Sequence, residues 1–191
     1  RIVGPIADLL VANDQRDRVT AEAFVAHAVL HELAHGPPTS SLALDEAAAD
    51  ARAILLAARL ADLEAGDDPD AEFPALEVAT ATYAASVFRA VRFGAAGPRG
   101  RAHLIVFNRL RDASALEVVG SRWRVETSRV RPALEALLAD LEAIEDEDAS
   151  DAFVQQWGRT SDVLVQALDA IDAAGIPADV VFEVETTAGP R

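Results

Sequence analysis

His31-Glu32-Leu33-Ala34-His35-Gly36-Pro37-Pro38, followed by Thr39-Ser40-Ser41-Leu42-Ala43-Leu44-Asp45-Glu46-Ala47-Ala48-Ala49-Asp50, sets the architecture of this chain. The first block ends a segment of helical apolar spacing that Thr20 can cap, running from Ala21 to about His35. Gly36-Pro37-Pro38 stops it, because proline cannot extend a helix and turns the preceding residue away from helical angles. Ser40 or Ser41 supplies the next N-cap, for a helix from Leu42 to about Ala65. A connection this short reverses the chain, so the sequence predicts an αα-hairpin with the first turn of its second helix beside the last turn of its first.

Residues four apart lie on one helical face, so His31 and His35 can present ring nitrogens to one ion. Glu32 follows about 100° round the helix, where it reaches a metal-bound water in place of the metal and becomes the candidate general base. A catalytic zinc needs a third protein ligand and one open position. The hairpin brings Glu46 next to His35, and Asp50, four residues later on the same face, is placed to accept a hydrogen bond from the non-metal nitrogen of a ligating imidazole. Carboxylates near a helix N-terminus are also favoured by the macrodipole alone, which is the competing reading of Asp45, Glu46 and Asp50. Glu46 and Asp50 fall among alanines on a helix that reads as buried, and buried carboxylates usually have a cation.

Working outward, the chain predicts a mainly α-helical single domain over residues 1–191 with minor β structure. A helix is expected around Ile2 to Ala12, a polar turn from Asn13 to Arg18, and an acidic loop from Asp67 to Pro74. Helices are expected over Ala75 to Phe93 and Arg101 to Asp112, separated by the Gly- and Pro-rich stretch Gly94 to Gly100. A hairpin is expected over Leu116 to Val125 turning at Gly120-Ser121, then helices over Pro132 to Ile144 and Ser150 to Ala174, and an extended tail from Ile176 to Glu185. With no cysteine, any metal must be held by imidazole and carboxylate. The net charge of −15, with all 17 basic residues arginine, argues against nucleic acid as a partner. No apolar run is long enough to cross a membrane and no signal peptide is evident, which predicts a soluble, cytoplasmic protein. The start at Arg1 and the absence of methionine read as a segment of a longer product.

These residues resemble the dipeptidyl peptidase III family of zinc peptidases, in particular its bacterial branch with a five-residue metal motif. His31-Glu32-Leu33-Ala34-His35-Gly36 resembles the metal helix, and Asp45-Glu46-Ala47-Ala48-Ala49-Asp50 resembles the block whose second acidic residue is the third ligand. Arg101-Ala102-His103 with Asn108 resembles a later segment whose histidine faces the substrate, and Ile176-Pro177-Ala178-Asp179-Val180 is similar to a C-terminal block. The resemblance implies the catalytic part of a zinc-dependent peptidase acting on a peptide substrate. It implies His103 as a transition-state hydrogen-bond donor, and Asp45 and Asn108 as substrate contacts. Departures are the extra residue and the longer interval before the third ligand in better-known members, the shorter Asp45, and the absence of any counterpart to the family's other lobe. Two other readings remain open: a non-catalytic zinc-binding or regulatory domain, and a helical interaction domain with an accidental motif. On general expectation His27 and the aromatic residues Trp123 and Trp157 read as structural. Oligomeric state is not legible.

Overall fold

The computed structural model describes residues 2–64 and 73–179. The end of the second hairpin helix at Ala65, most of the acidic loop, and the tail beyond residue 179 lie outside the described residues. The elements are α1 (Val3–Leu10), α2 (Ala21–Ala34), α3 (Leu42–Glu64), α4 (Leu76–Ala90), α5 (Pro98–Asp112), β1 (Leu116–Val119), β2 (Arg122–Val125), α6 (Thr127–Glu142), α7 (Glu147–Trp157) and α8 (Asp162–Ala173). Short 3-10 helices at Asn13–Arg18 and Val91–Phe93 join α1 to α2 and follow α4. The described chain is therefore mainly helical, with one two-stranded sheet. No described helix is long and apolar enough to cross a membrane.

Helix α3 is the axis of the molecule. Ala47, Ala49, Ala51 and Ala53 are wholly buried and Ala57 nearly so, and a helix with so little side-chain bulk lets its neighbours' backbones come close. Helices α2 and α5 pack against it most extensively, with α4 and α6 completing the surround. Larger side chains fill the space further out: Ile54, Phe88, Leu104, Ile105, Phe107, Leu134 and Leu137 are all fully buried. Phe88, Phe107 and Trp123 form a three-ring cluster with centroids 5.0–5.7 Å apart, in the tilted and edge arrangements favoured by ring quadrupoles. Trp123, read as structural, lies in this core; Trp157 is half-buried beneath the Arg109 guanidinium.

The hairpin pairs Leu116 with Val125 and Val119 with Arg122. Its positive φ of 67° falls on Gly120 and not on Ser121, the pattern of a type II′ turn with glycine at the first central position. Gln15 fastens the N-terminal segment to this ribbon: its amide donates to Val125 O and its carbonyl accepts from Val125 N, at 2.9 and 2.8 Å.

Three boundaries differ from the sequence expectation. The segment from Ser150 to Ala174 is two helices, because the chain breaks at Gly158, where a Cβ would lie 2.7 Å from the Val154 carbonyl oxygen and 3.3 Å from Arg101 Cβ. Helix α6 begins at Thr127 and carries Pro132 inside it, so Pro132 does not mark a helix start. Helix α5 begins at Pro98, not near Arg101, with Pro98 in the first turn, where its missing N–H costs nothing.

Phe107→Ala is expected to destabilise the chain by about 3–5 kcal/mol, by transfer and cavity terms together. Urea denaturation of the variant against the parent measures this, and a loss below about 1 kcal/mol would show that the ring cluster is not the core.

Candidate functional site

Helix α2 forms where Thr20 caps it, its hydroxyl accepting from Ala23 N at 3.1 Å, and it ends at Ala34 with His35 as the cap residue in an extended conformation. The loop then turns back under the control of Asp45, whose two carboxylate oxygens both accept from the Thr39 backbone N–H at 3.1 Å. That capping fixes the start of α3 against the end of α2. His31, His35 and Glu46 are thereby brought together. His31 Nε2 lies 3.2 Å from His35 Nε2 and 3.2 Å from Glu46 Oε2, and one donor atom from each residue falls within 4.8 Å of the others.

Behind this trio lies Asp50, 1% exposed. Its Oδ1 accepts from His31 Nδ1 at 2.8 Å and stands 3.2 Å from His27 Nε2. Its Oδ2 accepts from the Tyr83 hydroxyl at 2.9 Å and is 3.0 Å from His103 Nδ1. A carboxylate has about four lone-pair sites, and here all four face a donor atom. Burial by itself would push the Asp50 carboxyl up, but hydrogen bonds from His103, His27 and His31 outweigh it and hold the carboxyl well below the usual range. For His31, burial pulls the imidazole down while the Asp50 hydrogen bond and charge win, leaving it raised. Burial and the Asp50 charge together push the Tyr83 phenol well above its usual value, so it stays a neutral donor.

The hydrogen bond to Asp50 has a chemical consequence for His31. With its Nδ1–H donating a hydrogen bond to the carboxylate, the neutral ring turns a lone pair on Nε2 toward His35 and Glu46. Zinc–nitrogen and zinc–oxygen bonds of about 2.0–2.2 Å in a tetrahedron put donor atoms roughly 3.3–3.5 Å apart. The two spacings of 3.2 Å from His31 match that edge, and the third lies within 4.8 Å, so two imidazoles and a carboxylate form a donor set suited to zinc. Among the described residues a second group, His27, His31 and Asp50, also has donor atoms this close, but His31 Nδ1 and Asp50 Oδ1 are there committed to each other.

The remaining predicted residues fall in different places. Glu32 is exposed on α2, one position after His31. His103 belongs to the cluster through Asp50, with its Nδ1 also 3.4 Å from the Tyr83 hydroxyl. Asp45 is occupied in the loop turn. Asn108 is not brought to the cluster: its amide donates to the carbonyls of Trp157 and Arg159 at 2.7 and 2.9 Å, holding the C-terminal end of α7. Sequence reasoning missed two residues. Tyr83 is the only tyrosine in the chain, on a helix of small side chains, and a buried phenol needs a partner. Arg99, inside the Gly-Pro-Arg-Gly stretch read as a turn, reaches Glu46 and His31 from the first turn of α5; proline as a first-turn signal would have moved that helix start. His27, read as structural, joins the Asp50 cluster.

The fold is a helical one built on an αα-hairpin that carries His31, His35 and Glu46. Two solved structures share it. The structure of dipeptidyl peptidase III from Caldithrix abyssi superposes with a TM-score of 0.80 at 22% identity, covering 94% of this chain and 37% of that one. Dipeptidyl-peptidase III from Corallococcus sp. strain EGB gives 0.83 at 23% identity, covering 95% and 36%. A curated relative, Nudix hydrolase 3 of Arabidopsis thaliana, is 24% identical over 207 residues, which span 94% of this chain and 26% of that protein. The chain thus spans little more than a third of the matched structures and about a quarter of the plant protein. No family model matches the chain. The expected resemblance to dipeptidyl peptidase III is borne out in the fold.

Asp50→Ala removes the shared acceptor of three imidazoles and a phenol and is expected to cost about 3 kcal/mol or more. Tyr83→Phe, which deletes one donor to a charged acceptor, is expected to cost about 1.5–3 kcal/mol. Urea unfolding of both variants and of the pair reads the coupling between them; simple additivity would mean the hydroxyl–carboxylate bond contributes nothing.

Proposed function

We infer that this chain is the metal-binding part of a zinc-dependent peptidase. The observation that carries the reading is the pair of 3.2 Å spacings from His31 Nε2 to His35 Nε2 and Glu46 Oε2, with Asp50 behind the same imidazole at 2.8 Å. The resemblance in fold to dipeptidyl peptidase III structures supports it. His31, His35 and Glu46 hold the ion, and Asp50 fixes the tautomer of His31.

A bound zinc supplies an acidified water and polarises the scissile carbonyl. Glu32, exposed beside His31, accepts the water proton and returns it to the leaving amine. With Nδ1 3.0 Å from Asp50 Oδ2, His103 in its imidazolium form also carries a proton on Nε2, and that N–H is the one able to donate to the carbonyl oxygen. Asp45 holds the hairpin turn that places Glu46, and Asn108 anchors α7. The substrate is a peptide; its length and the bond cut are set by whatever residues complete the cleft. The net charge of −15 keeps nucleic acid from being a partner.

Elemental analysis of protein purified without chelator or a His-tag is expected to give one zinc per chain, lost in His35→Ala and in Glu46→Ala. Absence of zinc in the parent after it is added back would overturn the reading. Glu32→Gln is expected to keep the zinc and to lose turnover of a peptide library by at least about a hundredfold, and retained turnover would remove Glu32 as general base. One zinc with no hydrolysis of any peptide, in the parent as in Glu32→Gln, would assign the second reading, a non-catalytic zinc-binding domain.

A further inference from the structure

Arg99 lies outside every motif that pointed to the metal site, yet its guanidinium enters it. Nη1 is 2.6 Å from Glu46 Oε2 and 3.1 Å from His31 Nε2, the two atoms that stand 3.2 Å apart in the ligand trio. The head group comes from the solvent side: the Arg99 side chain is 54% exposed, against 15% for Glu46 and 1% for His31. It is delivered there by the start of α5. Gly100 allows the preceding turn to fold against that helix, since a Cβ at 100 would lie 2.1 Å from the Gly94 carbonyl oxygen.

A guanidinium has five donors and no lone pair, so Arg99 cannot itself be a ligand. What it supplies is positive charge to a carboxylate and a hydrogen bond to an imidazole nitrogen. His31 Nε2 has a single lone pair, which cannot serve a guanidinium N–H and a divalent ion together, and beside Glu46 Oε2 the two cations repel.

We propose that Arg99 competes with the metal for His31 and Glu46, so that its guanidinium sets how tightly the chain holds zinc. The inference rests on the zinc reading above. As zinc binds, the guanidinium gives up both contacts, and its exposed side chain lets it withdraw into solvent. Its nearby charge still opposes the ion, and that opposition weakens as salt screens it.

The test is the zinc Kd of the full chain, by competition with a chromophoric chelator at low and high salt, for the parent, Arg99→Gln, Arg99→Lys and Arg101→Gln. Arg101 is the control: two residues away, its Nε donates to the Ala96 carbonyl at 3.0 Å, and its replacement changes the net charge equally. Arg99→Gln is expected to lower the Kd about tenfold at low salt and less at high salt. Arg99→Lys, which keeps the charge, and Arg101→Gln stay within about threefold of the parent. In the metal-free state, Arg99→Gln unfolds at lower urea than the parent. An unchanged or raised Kd in Arg99→Gln, or an equal gain in Arg101→Gln, overturns the inference while a parent with one zinc per chain keeps the peptidase reading intact. A parent that takes up no zinc overturns both.

Discussion

The carboxylate of Asp50 is the constraint on which the rest of the cluster depends. It is buried, charged and met by His27, His31, Tyr83 and His103, and a charge in that position persists only because every lone pair has a donor. Those donors come from three different helices, α2, α4 and α5, and Asp50 itself from a fourth. One carboxylate therefore fixes the relative placement of four helices and, through His31, the direction in which a ring nitrogen points.

The alanine content of α3 makes this convergence possible. Larger side chains at Ala47, Ala49, Ala51 and Ala53 would hold α2 and α5 away from the axis, and His31 and His103 would no longer reach a side chain as short as aspartate. Small residues bring the helices in, and the polar cluster then satisfies groups that close packing has removed from water. Packing and electrostatics are coupled here: the same approach that excludes water from Asp50 strengthens each hydrogen bond to it.

Around this centre the charges are arranged in layers. Asp50 lies deepest and is paired with imidazoles and a phenol. Glu46 lies nearer the surface and is paired with Arg99. The exposed Glu32 lies on the outside of α2. A cation entering from solvent therefore meets carboxylates in succession: the exposed Glu32, then Glu46 already paired with Arg99, then Asp50 already saturated with donors. At the middle position, between His31, His35 and Glu46, a divalent ion has to displace the Arg99 guanidinium.

Sequence by itself determined the hairpin, because the signals are local: Thr20 caps one helix, Gly36-Pro37-Pro38 ends it, and a spacing of four puts His31 and His35 on one face. It also placed Glu46 next to them and Asp50 on the following turn, since both follow from helix periodicity and a short reversal. The break at Gly158 was not legible, because a glycine inside an apolar pattern is tolerated in many helices, and what ends α7 is the approach of Arg101 and the amide of Asn108, which donates to the last carbonyl of α7, at Trp157, and to that of Arg159 beyond it. Tyr83 and Arg99, and the meeting of His103 with Asp50, were left to the tertiary structure, for these residues reach α2 and α3 only after α4 and α5 dock. No period in the chain encodes a contact between residues 31 and 99. That meeting is decided by the narrowness of the alanine-rich helix between them and by the one buried carboxylate their helices must satisfy.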